Sequence, residues 1–247
     1  MKFLMLAMAF TLIASGASAA ILASDDFTYD DGLLVPNGGW THHSGNDDLM
    51  VVSGEAVVEH GTPSEDAHIV FTPTTNATVY FEFDFSVDDL GAPYVGTDNE
   101  YFAHFMPETG FNYRARMRVN PPTGVGDYTV GISTQASSTT DAVWATDLTF
   151  DVDYHVIVAY NQVANTTVLW IDATSYTDAS ILGADEDDLD AEFSGRFALR
   201  QSDSSENETI RVDNLVISDT CEDVFSSDCP TVANESQSWG ELKSLYR

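Results

Sequence analysis

Between Thr78 and Val87 every second residue is apolar, in the order Thr-Val-Tyr-Phe-Glu-Phe-Asp-Phe-Ser-Val. In an extended chain successive side chains point to opposite faces. Val79, Phe81, Phe83, Phe85 and Val87 therefore share one face, and Tyr80, Glu82, Asp84 and Ser86 share the other. A helix would scatter the five apolar side chains around its circumference, so this segment reads as a strand with one buried face. Similar patterning recurs in Leu49–Val52, Glu55–Glu59, Ala67–Phe71, Glu100–Met106, Phe111–Val119 and Tyr128–Ser133. It continues in Ala142–Phe150, Tyr154–Asn161, Thr166–Asp172, Phe193–Gln201 and Thr209–Ser218. Clusters of Gly, Pro, Asn and Asp punctuate the series at Pro36–Gly39, Asp89–Thr97, Asn120–Gly126 and Gly183–Asp190. Roughly a dozen short strands so spaced predict an all-β, two-sheet antiparallel jelly-roll sandwich over residues 21–220, followed by a short tail. No amphipathic helix and no internal repeat interrupts this pattern.

The chain's charge limits its partners. It carries 40 Asp plus Glu against 9 Lys plus Arg in 247 residues, a formal net charge of −31. Phosphate backbones and anionic membrane surfaces demand excess positive charge, so nucleic acid and such membranes are excluded as partners. A hydrophobic content of 43% with 11% aromatics still suffices for a packed core. Lysine occurs only at Lys2 and Lys243, so residues 21–220 hold just Arg114, Arg116, Arg118, Arg196, Arg200 and Arg211 as cations. A lysine-free acidic surface suits salty surroundings, where screening weakens self-repulsion; drift in an acidic proteome is the other account.

The ends speak of export. Met1–Ala20 has the form of a signal peptide, with Lys2, an apolar run Phe3–Ile13 and small residues at Ala17–Ala19. That run is too short to span a membrane, and no later segment reaches about 20 apolar residues. Cys221 and Cys229 predict a small disulfide loop in an oxidising compartment. Zinc would need two further nearby ligands, and no histidine follows His155. Beyond lies a polar stretch and the segment Ser238–Arg247, where Ser238 and Glu241 form a candidate capping box. Residues 221–247 thus form a tail, ending in either a sorting signal or a short helix.

Positive charge has a pattern of its own. Within Phe111–Val119 the alternation predicts Phe111, Tyr113, Ala115, Met117 and Val119 inside, with Asn112, Arg114, Arg116 and Arg118 outside. Half of the body's arginines then stand in one row. Either they pair across strands with carboxylates such as Glu82 and Asp84, or they line a groove for an acidic or polyhydroxylated ligand held by guanidinium forks. His42 and His43, with His60 and His68, follow no metal-binding spacing. Trp40, Trp144 and Trp170 read as core or sheet-packing residues, although an exposed one could stack on a sugar ring. Neither a Gly-x-Ser-x-Gly elbow nor a phosphate loop is present.

Several segments carry a family likeness: Ser24–Leu34, Gly38–Trp40, Val52–Ala56, Tyr101–Phe105, Tyr113–Arg116, Trp144–Phe150, Thr167–Asp172, Phe197–Gln201 and Ile210–Ser218. Together they resemble the concanavalin A-like lectin/glucanase superfamily, in the LamG-like form of secreted bacterial proteins. The chain's last residues also resemble the endings of some exported proteins from environmental bacteria. The superfamily resemblance implies a jelly-roll sandwich that hosts lectins, hydrolases and inert modules. In laminarinase-type members it implies Glu-x-Asp-x-Glu or Glu-x-Asp-x-x-Glu on one strand. Glu82 and Asp84 match the first half, but Ser86 and Val87 stand where the second glutamate belongs, and Asp88 is off the pattern. The resemblance further implies a structural Ca²⁺ near Asp213, with Gly54 offering a carbonyl; the alternative is that Asp213 accepts backbone hydrogen bonds. The run Asp185–Asp190 lacks the spacing of an EF-hand.

The resulting expectation is a secreted or cell-surface, non-catalytic sandwich module that binds glycans or extracellular polymers. Its alternatives are a cell-envelope structural protein with no small ligand, and a divergent laminarinase-type hydrolase using Glu82 and Asp84.

Overall fold

The computed structural model describes residues 21–45, 49–60, 64–96, 100–135, 139–183, 190–202 and 208–230. Residues 1–20, with the expected signal peptide, the segment after residue 230 and the acidic run up to residue 189 lie outside them.

The described residues hold sixteen strands and two short 3₁₀ turns. The strands begin β1 (Ala23–Asp25), β2 (Gly32–Leu33), β3 (Thr41–Gly45), β4 (Met50–Val52), β5 (Glu55–Glu59) and β6 (Glu65–Val70). The middle five are β7 (Thr78–Val87), β8 (Tyr101–Pro107), β9 (Arg114–Asn120), β10 (Thr129–Ser133) and β11 (Ala142–Val143). The last are β12 (Tyr154–Asn161), β13 (Thr166–Ile171), β14 (Ser180–Gly183), β15 (Ser194–Arg200) and β16 (Thr209–Ser218). They form two antiparallel sheets. One runs β14-β13-β12-β7-β16-β5-β4-β2, with β1 added beside β16, for nine strands. The other has seven, in the order β11-β10-β9-β8-β15-β6-β3.

The alternation in β7 works as predicted: Val79, Phe81, Phe83, Phe85 and Val87 are all buried in the core between the sheets. Phe81 meets Phe197 of β15 with ring centroids 5.0 Å apart and Phe105 of β8 at 5.1 Å. Fully burying each such ring contributes about 1.5–3 kcal/mol, which accounts for the central place of this strand in its sheet. Trp40 is also core, 2% exposed, and Trp144 packs against the same cluster half-buried.

One assignment of faces is corrected. Ala115, Met117 and Val119 do enter the core, but Phe111 is 63% exposed and Tyr113 packs on the opposite side, against His104. Residues 108–110 bend, residues 111–113 belong to no strand, and Ala115 sits at φ 53, so the alternation changes phase there. The alternation does not mark β1, β2, β3 and β14, although β1 and β2 overlap the Ser24–Leu34 segment that resembles the first strands of the superfamily. Each is only two to five residues long or lies in turn-like sequence.

A second, smaller cluster covers the outer face of the nine-stranded sheet. Trp170, Tyr80, Ile157 and Ala159 pack there beneath Cys221, Val224 and Phe225. The Cys221–Cys229 disulfide is formed, with an S–S distance of 1.99 Å, and closes this segment over the sheet.

Candidate functional site

The outer face of the seven-stranded sheet gathers the body's positive charge. Because Ala115, Met117 and Val119 point inward, Arg114, Arg116 and Arg118 point outward from β9. In β15, Phe197 and Leu199 enter the core and leave Arg196 and Arg200 on that same outer face. Five of the six arginines between residues 21 and 220 therefore share one sheet surface. The sixth, Arg211, belongs to the other sheet and pairs with Asp88 at 2.6 Å and Glu55 at 3.3 Å.

The expected pairing of the β9 row with Glu82 and Asp84 does not occur, since those carboxylates stand on β7 in the opposite sheet. The β9 arginines bond mainly to uncharged oxygens instead. Arg114 donates to the carbonyls of Asp190 at 2.6 Å and Tyr113 at 3.0 Å, Arg116 to the Gln135 carbonyl and Arg118 to the Ser133 hydroxyl. Arg196 donates to the carbonyls of Pro107 at 2.7 Å and Gly110 at 2.5 Å. Arg200 has a close carboxylate partner, Glu100 at 2.7 Å, with Asp66 more distant at 4.0 Å. Among the described residues, Arg114, Arg116 and Arg196 form no ion pair.

Aromatic rings are interleaved with this charge. The guanidinium carbons of Arg200, Arg116 and Arg118 lie 4.4, 4.8 and 5.6 Å from the Tyr101 ring centroid, and Arg116 also lies 5.4 Å from Tyr113. The negative face of such a ring attracts cations, which lets several guanidinium groups crowd together. Three histidines complete the layer. His104 lies 4.3 Å from Tyr113, and His43 lies 5.2 Å from His68, between centroids. Burial, then the neighbouring His68 and Arg196, hold His43 down to about 4. Burial drives His104 well below the usual imidazole range, and burial with Arg196 also lowers His68. At neutral pH these rings carry no charge, leaving the arginines as the cations of the face.

Sequence reasoning placed Arg114, Arg116 and Arg118 on one surface correctly and missed Arg196, Arg200, Tyr101, Tyr113, His43 and His104. The outward alternation of Arg196 and Arg200 about Phe197 was a usable signal. The histidine and tyrosine groupings were not, because they join β3, β6, β8 and the turn before β9 across the sheet.

On the nine-stranded sheet, Glu82 and Asp84 share one face, and His155 of β12 sits between them. Its Nε2 lies 3.3 Å from Glu82 and its Nδ1 2.9 Å from Asp84. Hydrogen bonding to Glu82, then Asp84, raises this imidazole to about 9, against the opposing effect of burial. The imidazolium therefore occupies the space between the two carboxylates. Asp213 accepts the Asn214 backbone N–H at 2.7 Å, in a bulge of β16, beside a cavity of about 110 Å³ shared with Glu55, Asp84 and Asp153. Gly54 occupies the β4–β5 turn at φ 88. Among the described residues no group of three or more His, Cys, Asp or Glu is arranged to hold a metal ion.

No protein-family model matches the chain, and no curated protein matches it in sequence. Solved structures do match its shape. A sialidase aligns at 13% identity with a TM-score of 0.52, over 83% of this chain and 19% of that one. Lectin II from Ulex europaeus aligns at 14% identity and a TM-score of 0.46, covering 75% of this chain and 95% of the lectin. The sheet order and the sialidase match agree on a concanavalin A-like jelly-roll sandwich. A cellulose-induced protein, Cip1, also aligns, at 13% identity and a TM-score of 0.47, over 80% of this chain and 97% of its own. At such identities the likeness concerns the fold alone. This concanavalin A-like sandwich spans about a fifth of the sialidase, and its arginine-rich face rests on its own residues. No helix among the described residues is long and apolar enough to cross a membrane.

Proposed function

We propose that the chain is a non-catalytic carbohydrate-binding module acting outside the cell, and that the outer face of its seven-stranded sheet receives the glycan. The observation that carries this reading is the grouping of Tyr101, Tyr113 and five arginines on one sheet face. Sugars present hydroxyls that guanidinium forks can bond and C–H faces that rest on aromatic rings. Phe111 supplies a third ring beside them, 6.4 Å from Tyr113 and 63% exposed. The disulfide favours an oxidising, extracytoplasmic setting.

The hydrolase alternative loses support at Glu82 and Asp84. Retaining hydrolysis needs one carboxylic acid and one free carboxylate about 5–5.5 Å apart across the scissile bond. Here both are engaged by His155, whose ring bridges them. A structural calcium is not favoured either. Ca²⁺ takes six to eight oxygens, whereas Asp213 is turned to Asn214 and Asp84 to His155 and Asn214.

A glycan array probed with the purified protein tests the proposal. Retention of at least one glycan class is expected, and the double substitution Phe111→Ala with Tyr113→Ala weakens it about tenfold. A folded protein that retains no glycan overturns the reading.

A further inference from the structure

We infer that the glycan taken by this face is acidic, carrying carboxylate or sulfate groups, and that Arg116 and Arg200 flanking Tyr101 receive the anion. This deepens the proposed function and rests on it. The first ground is charge segregation. A chain of net charge −31 places five of its six body arginines on one sheet surface. Random placement would scatter them, and folding alone would pair them with some of the 40 carboxylates. Instead Arg114, Arg116 and Arg196 bond to neutral carbonyls, which leaves their positive charge uncompensated.

The second ground is an unmet hydrogen-bonding demand. Arg116 is 7% exposed, and its Nε is buried with no acceptor. A guanidinium group held in this state costs free energy unless an oxygen acceptor completes it, and an anionic oxygen does so most strongly. The third ground is geometric. Arg116 and Arg200 lie at 4.8 and 4.4 Å from the centroid of one tyrosine ring, so two guanidinium groups border the same aromatic surface. Arg200 keeps 20% of its side chain exposed and provides the approach from solvent. Burial raises the Asp66 carboxyl beside them, and burial lowers the His43 and His68 imidazoles, which add no charge of their own at neutral pH. A neutral sugar would use the rings and leave the guanidinium charges unanswered. Carboxylate and sulfate both answer them by forked hydrogen bonds.

Isothermal titration against polygalacturonate, a sulfated galactan and a neutral β-glucan, each at 50 and 500 mM NaCl, tests the inference. At least one acidic polymer is expected to bind at least about tenfold more tightly than the neutral glucan, and to lose about tenfold on raising the salt. Preference between the two acidic polymers then identifies carboxylate or sulfate as the recognised group. Arg116→Gln and, separately, the more exposed Arg200→Gln each weaken that binding about tenfold, while Arg211→Gln on the other sheet leaves it unchanged. Thermal melts establish that each variant is folded, and Arg200→Gln decides the matter if Arg116→Gln is not. Equal, salt-independent affinity for neutral and acidic polymers overturns the acidic-ligand inference and leaves glycan binding standing. Binding to none of the polymers, together with an empty array, overturns both.

Discussion

The indole nitrogen of Trp40 donates to the Asp25 carboxylate across 2.6 Å inside the sandwich. Asp25 also accepts from the Phe27 backbone N–H and the Tyr29 hydroxyl, each at 2.8 Å, and is 7% exposed. One buried carboxylate thereby joins β1, the following turn and the core tryptophan. Replacing it strands three donors at once. Asp25→Ala is expected to cost about 3 kcal/mol in urea unfolding, and Asp25→Asn less, since an amide oxygen still accepts. A loss below about 1 kcal/mol for the alanine variant would contradict this role.

Phe225 is the wedge of the C-terminal closure. Its ring meets Trp170 at 5.0 Å and Tyr176 at 5.6 Å, and it is 4% exposed. Phe225→Ala should lose about 3 kcal/mol and let water reach Trp170. The fluorescence maximum of the folded variant is expected to move to longer wavelength. An unshifted spectrum with an unchanged melting point would show that the segment covers nothing of consequence.

His155 gives the protein a basic limit. Its pKa of about 9 in the folded chain lies above the ~6.5 of an unfolded histidine. The folded state therefore holds the proton more tightly, and the associated stabilisation is complete below about pH 6.5. It is lost as the pH rises through about 9. Solvent screens the pair, because the imidazole is 36% exposed. Melting temperature should fall about 2 °C further between pH 7 and 10 in the native protein than in His155→Gln. Parallel curves for the two proteins would rule out this contribution.

The sandwich was legible wherever alternation and burial coincide. In β7 the pattern names the core face residue by residue, because each apolar side chain meets the opposing sheet. The pattern misled at Phe111 and Tyr113, where a turn happens to continue the alternation and a residue with positive φ changes its phase. The arginine row could be seen on one strand, but its partners could not. Which strand lies beside β9 depends on sheet order, and local sequence is silent on whether Glu82 lies in the same sheet or across the core. Tyr80 and Trp170 show a related limit: they sit on the outward face of the nine-stranded sheet, yet a distant segment stapled by Cys221 and Cys229 buries them.

That staple also settles a matter of direction. Pro230, the last described residue, lines a cavity with Tyr80 and Asp219 on the nine-stranded side, and β1 joins the same sheet through β16. Both ends of the described chain thus belong to one side of the molecule, and the arginines face away from it. Anything fastened beyond residue 230 starts behind the module. A support or a cell wall attached there would hold the arginine face outward, towards the medium.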